Sequence, residues 1–257
     1  MAGKSISFLE KFAHKRTMRH WARAARNANS ARIDELRALR SKARLLRSHL
    51  DRLIHQADAR LALPMIGSTG STRPHNSDWF WRPELWRGPL APAGMSSVET
   101  KSRLGNEITL FHDCGFSELT LRQLRNLREE DLAPYGLCMD VFHFDGSFLS
   151  LVVDLPHDAV NGLRKTHLIG MNTIIDSEKP LGVFARLNIR HGPNTEQIVR
   201  ELPMNDRTET IEFDLAYSKM NEKRVEHAWV DLIFDNPEMN QVTVRDLTFS
   251  RRPRAAL

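Results

Sequence analysis

Val183-Phe184-Ala185-Arg186-Leu187-Asn188-Ile189-Arg190 alternates apolar and polar side chains without a break. Successive side chains on a β-strand point to opposite faces, so this stretch reads as a strand buried on one face and wet on the other. Runs of the same kind surround it, at residues 139–144, 148–155, 167–175, 196–202, 210–215, 225–234 and 241–249. Asp145-Gly146, between the first two, is a strong hairpin signal, because a type I′ turn needs positive φ at both central residues. The loop His191-Gly192-Pro193-Asn194 ends the quoted run, and Pro203 and Asn236-Pro237 stop later ones. Eight strands with no helical pattern between most of them predict a mainly β fold: an eight-stranded antiparallel, jelly-roll-like sandwich.

The chain has 257 residues and 41% apolar residues, enough for a substantial core. Its two cysteines, Cys114 and Cys138, offer no disulfide framework, and the N-terminus has no apolar segment of the secretory kind. A reducing, cytoplasmic location is therefore expected. No apolar run is long enough for a transmembrane helix.

The net charge of +5 is unevenly spread. Residues 1–63 hold 15 Lys+Arg and 5 Asp+Glu, a net of +10, which leaves −5 for the remainder. That asymmetry points to an anionic partner, a membrane surface or nucleic acid, or to the acidic body of the same chain. Two helices are expected in this quarter. Ser5 caps the first, which carries Phe8, Leu9, Phe12 and Trp21. Ser30 caps the second, with Asp34 and Glu35 in its first turn, where the helix dipole favours them. In the second, Leu36, Leu39, Ala43, Leu46, Leu50, Leu53 and Ala57 form a heptad seam. A seam says that the helix is opposed, and leaves open whether a second copy opposes it, as a coiled coil, or the first helix, as a hairpin.

Pro64, Gly67, Gly70 and Pro74 read as a break, so the expected organisation is a basic helical segment at 1–63, a Pro/Gly/Trp-rich linker at 64–105 and the sandwich at 106–257. Three of the five tryptophans, Trp79, Trp81 and Trp86, fall within eight residues of the linker. If that segment is extended, Trp79 and Trp81 share a face. Residues 117–128 fit two patterns, a short helix from leucines at 121, 124 and 127 and a strand from 119 and 121, and the helix is the expectation.

Residues 241–249, with Val244-Arg245-Asp246-Leu247-Thr248-Phe249 after a Pro-containing loop, resemble the closing strand of galactose-binding-like and carbohydrate-binding jelly rolls. Such modules mostly bind sugars or proteins without doing chemistry. Residues 78–89, 145–151 and 190–197 together resemble an uncharacterised alphaproteobacterial family of unknown function. This resemblance implies a bacterial intracellular or cell-associated protein and assigns no functional residues.

The residues expected to bind a ligand are Trp79, Trp81, Arg82 and Trp86, as stacking faces beside an arginine, and Arg186, Asn188, Arg190, His191 and Asn194, as a polar strand face with its loop. The plainer alternative for the tryptophans is a clamp on the sandwich. His112-Asp113-Cys114 groups three reactive side chains, but adjacency along the chain does not bring a base within reach of a thiol, and a packed turn is the expectation. Asp154, Asp214, Asp231 and Asp246 are strand carboxylates whose spacing gives no acid/base pair; Asp246 would suit a structural calcium. Phosphate-binding glycine loops, the serine nucleophile elbow and zinc-ligand spacings are absent from the sequence, so no cofactor, metal or catalytic residue is assigned. The expected function is a non-enzymatic module that binds a glycan or a protein surface, with helices for oligomerisation or docking. The alternatives are a carbohydrate-active enzyme on a sandwich and an anionic-surface docking protein.

Overall fold

The computed structural model describes residues 8–61, 73–128, 131–203 and 209–254. The chain divides into two compact units, Met1–Ala57 and Asp58–Leu257.

The first unit contains α1 (Phe8–Arg26) and the greater part of α2 (Ile33–Leu61). The turn between them is closed by Ser30 Oγ, which donates to Asn27 O at 3.2 Å. Ser30 is thus not the cap expected of it; Arg32 O accepts the first helical bond of α2, from Leu36 N. Asp34 and Glu35 occupy the first turn as expected. Trp21, Ala24 and Ala25 of α1 and Ala28 of the turn line one apolar groove with Leu36, Leu39 and Ala43 of α2. The first part of the seam therefore faces α1, whereas Leu46, Leu50 and Leu53 are 37%, 48% and 62% exposed. Phe8, Leu9, Phe12 and Ala57 have side chains outside the described residues, as has Ser5.

The second unit is mainly β. Among the described residues its strands are β1 (Trp79–Trp81), β2 (Gly94–Ser96), β3 (Ser102–Leu104), β4 (Ile108–His112), β5 (Leu119–Arg125), β6 (Tyr135–Val141), β7 (Leu149–Asp154), β8 (His167–Ser177), β9 (Gly182–His191), β10 (Asn194–Leu202), β11 (Glu209–Asp214), β12 (Val225–Asp235) and β13 (Asn240–Pro253). Single helical turns lie at α3 (Glu84–Arg87) and α4 (His157–Val160). The strands form two antiparallel sheets. One has the order β11-β8-β13-β6-β5-β2, with β1 also on β13; the other has the order β10-β9-β12-β7-β4-β3. The inner faces meet in one core, where Phe213 and Phe249 of the first sheet and Val230, Leu232 and Phe234 of the second are buried. Each fully buried side chain of this size contributes roughly 1.5–3 kcal/mol.

All eight expected runs correspond to strands, and five more join them. Three of these correct the expected linker at 64–105, whose second half supplies β1, β2 and β3 to the two sheets. Its tryptophans are the reason: Trp86 is completely buried and its Nε1 donates to Val244 O at 2.9 Å, tying α3 to β13. Residues 62–72 lie outside the described residues. Residues 119–125 form strand β5 rather than a helix, paired along its length with β6. Leu119 and Leu121 point into the core, while Leu127 is exposed and belongs to no apolar stripe.

Asp145-Gly146 is not a hairpin. β6 belongs to the first sheet and β7 to the second, so the connection crosses the sandwich. Gly146 serves a different need: a Cβ there would come within 3.0 Å of Cys114 N and closer still to Asp113 Oδ1. The tight two-residue hairpin lies instead at Gly192-Pro193, between β9 and β10, with Gly192 at φ +61°.

Candidate functional site: the outer face of the second sheet

On β9, β12, β7 and β4, alternate residues turn away from the core and line a groove of about 610 Å³. Strand register fixes its layout. At one end Arg190 lies opposite His227. Next come Asn188, Trp229 and Asp154 in one row across three strands. Arg186, Asp231, Val152 and Thr109 form the following row. Phe184, Ile233, Ser150 and Phe111 form the last. Phe148, just before β7, lines the far end.

The polar rows are held by pairs. Arg186 donates from Nε to Asp231 Oδ2 at 2.8 Å, and Asn188 Nδ2 reaches the same oxygen at 3.0 Å. Gln197 Nε2 in turn donates to Asn188 Oδ1 at 3.0 Å. His227 Nε2 lies 3.3 Å from Asp154 Oδ1 and stacks on Trp229 with ring centroids 5.5 Å apart. Arg103 also reaches Asp154, and Arg190 pairs with Glu226. Each cationic side chain here thus has a carboxylate beside it, and the face offers donors and acceptors at fixed positions with little net charge. Ser150 Oγ is different: the residue is 5% exposed and its hydroxyl has no hydrogen-bond partner within the described chain. A buried hydroxyl without a partner costs about 1–3 kcal/mol, which a ligand oxygen in the groove would recover.

A family model matches residues 1–257. The chain belongs to the family of unknown function DUF6478. No curated protein matches it in sequence. Among solved structures, it is similar to the enzymatically active domain of bacteriophage CBA120 tailspike protein 4 (8% identity, TM-score 0.40, 60% of this chain). It spans 21% of that chain. It is also similar to the family 11 carbohydrate-binding module from Clostridium thermocellum in complex with a β-1,3-1,4-mixed-linked tetrasaccharide (12% identity, TM-score 0.39, 63% of this chain and 99% of that one). A third is TmCBM61 in complex with β-1,4-galactotriose (13% identity, TM-score 0.34, 57% and 88%).

Of the residues expected to bind, Arg186, Asn188 and Arg190 share the groove face, with Asn188 buried and its amide used to position Asp231. His191 and Asn194 do not belong to it. They oppose one another at the hairpin, on the side of the strands that carries Ile189, and His191 is buried. The tryptophan cluster is on the other sheet. Trp79 and Trp81 stack at 6.3 Å and pack on the core, with Trp81 5.8 Å from Phe249, so the segment has the geometry of the clamp. Arg82 forms a two-pronged bond with Asp246, at 2.9 and 2.8 Å, and this occupies the carboxylate considered for calcium. Burial pushes the Asp246 carboxyl up despite the arginine.

His112-Asp113-Cys114 is a packed turn. His112 is buried; its Nδ1 accepts from Cys114 N, so the neutral ring carries its proton on Nε2 and donates to Val98 O at 2.8 Å. Both ring nitrogens are engaged, and neither is available to deprotonate Cys114, whose thiol burial pushes up. Asp113 accepts from Ser147 and Phe148.

Among the groove residues not singled out from sequence are Trp229, His227, Ser150, Phe111 and Phe148. A signal for Trp229 was present: it shares parity with His227 and Asp231, on the polar face of a strand whose other face is Ala228, Val230 and Leu232.

Proposed function

We propose that the second unit is a non-enzymatic binding module for a neutral glycan, seated in the groove of the second sheet. The observation that carries this reading is Trp229: a half-buried indole on the outer face of a strand, flanked by Asp154 and Asp231, which pair with Arg103 and Arg186. A flat apolar ring beside fixed hydrogen-bonding groups suits a sugar, which has an apolar face and a polar edge. Asp154 and Asp231 share the groove, but each is paired with an arginine, Arg103 and Arg186, which favours binding over acid/base hydrolysis. A glycan array followed by calorimetric titration tests the reading. Trp229→Ala should weaken binding of the selected glycan at least about tenfold while the fold is retained; no binding by any glycan, or wild-type affinity in the variant, would sink it.

For residues 1–63 we propose self-association through the part of the seam that α1 leaves uncovered, Leu46, Leu50 and Leu53. Light scattering of the full chain and of a chain lacking 1–63 should show loss of an oligomer. Equal subunit stoichiometry would reject it.

A further inference from the structure

The groove is polar at one end and apolar at the other. Its His227 end carries the paired arginines, carboxylates and Trp229. Past the Asp231 row, Phe111, Ile233 and Phe148 replace them, and Ser150 supplies the hydroxyl without a partner. Asp154, at the end of β7, and Phe148, just before its start, are six residues apart, so the groove extends over about 20 Å from its sugar-suited rows to its apolar limit. The apolar end does not stop at the strands. The β4–β5 and β6–β7 connections carry Phe116, Phe142 and Phe148, which are 73%, 53% and 43% exposed. They are fixed to one another: Asp113 Oδ1 accepts from Ser147 N and Phe148 N at 2.7 and 3.1 Å, Gly115 N donates to Asp145 at 3.1 Å, and Phe142 N donates to Glu118 O at 3.1 Å. Of these, Phe148 lines the groove itself and is held there by Asp113, so its exposed ring extends the apolar end as a binding surface.

Resting on the glycan reading, we propose that the ligand is amphipathic: a glycan that carries a hydrocarbon chain, as a glycolipid does. The sugars occupy the rows from His227 to Asp231, the linkage oxygen lies at Ser150, and the chain runs over Phe111 and Phe148 towards the loops. A purely polar oligosaccharide would leave the apolar end in water, and a bare hydrocarbon would leave the paired polar rows unused.

Methyl, hexyl and octyl β-glucosides and β-galactosides, each below its critical micelle concentration, are the probes, with binding followed by ligand-observed NMR and calorimetry. For at least one sugar, affinity should rise with chain length, by at least about tenfold from methyl to octyl. In Phe148→Ser that octyl-to-methyl ratio should fall to below about threefold. Octyl glycosides that bind no tighter than methyl glycosides, that do not bind at all, or whose gain persists in Phe148→Ser overturn the inference. If free oligosaccharides bind but alkyl chains add nothing, this inference alone falls. If 1-octanol binds as tightly as the octyl glycosides, the glycan reading falls with it.

Discussion

Arg186 and Asp231 occupy directly opposed positions on β9 and β12, and the guanidinium closes on the buried carboxylate from the solvent side. The pair fixes two donors and an acceptor on the floor of the groove without using backbone groups. Asp231→Asn should loosen Arg186 and Asn188 together. Because Arg186 can turn to water, the loss of stability should be modest, about 1–2 kcal/mol in urea unfolding. Glycan affinity should fall further, at least about tenfold by calorimetry. A stable variant with unchanged affinity would remove the pair from the site.

Trp229 and Trp86 should separate function from stability. Trp86 is completely buried and hydrogen-bonded, so Trp86→Ala should cost about 3–5 kcal/mol and lower the melting temperature by about 10 °C or more. Trp229 is half-buried on an outer face, and Trp229→Ala should cost less than about 1 kcal/mol. Calorimetric melting of both variants decides; a severe loss in Trp229→Ala would make it a packing residue.

The sandwich was legible because alternation survives in the long strands: every second residue of 183–190 is an inward-facing core residue, as the sequence implies. Short strands gave less. β1, β2 and β3 have three residues each, too few to show a period, and the prolines around them mimic a linker. Gly146 misled because a glycine needed for close approach to Cys114 looks the same in sequence as one needed for a turn. The site was half legible. Arg186 and Arg190 follow from parity on one strand, but which strands lie beside β9 depends on sheet order, and alternation carries no information on it. His191 reads as a loop residue, but β9 runs on through it, and its parity with Ile189 turns it to the inner face.

Arg82 and Asp246 bind each other in a largely buried setting, 164 residues apart in sequence. Removing one member leaves an uncompensated buried group. Arg82→Met should cost about 3–5 kcal/mol, and adding Asp246→Asn should recover a clear part of it. A double-mutant cycle in denaturant measures both; additive losses would mean that the two residues do not depend on one another.

His167 sets the expected pH response. It is buried at the start of β8, where its Nδ1 accepts from Arg164 N at 3.1 Å, a bond that only the unprotonated nitrogen can make. Burial first, then Arg251 and Arg164, hold its pKa below the usual 6.5; Asp78 and Glu222 act in the opposite direction and are outweighed. The unfolded chain therefore binds a proton near pH 6.5 while the native chain does not. Stability from this residue is fully present above about pH 6.5 and declines as pH falls from there towards the lowered native value. In His167→Gln the amide oxygen can accept from Arg164 without titrating. Urea midpoints at pH 7.5 and 5.5 should drop more in the wild type than in the variant. An equal drop in both would assign the acid sensitivity to other groups.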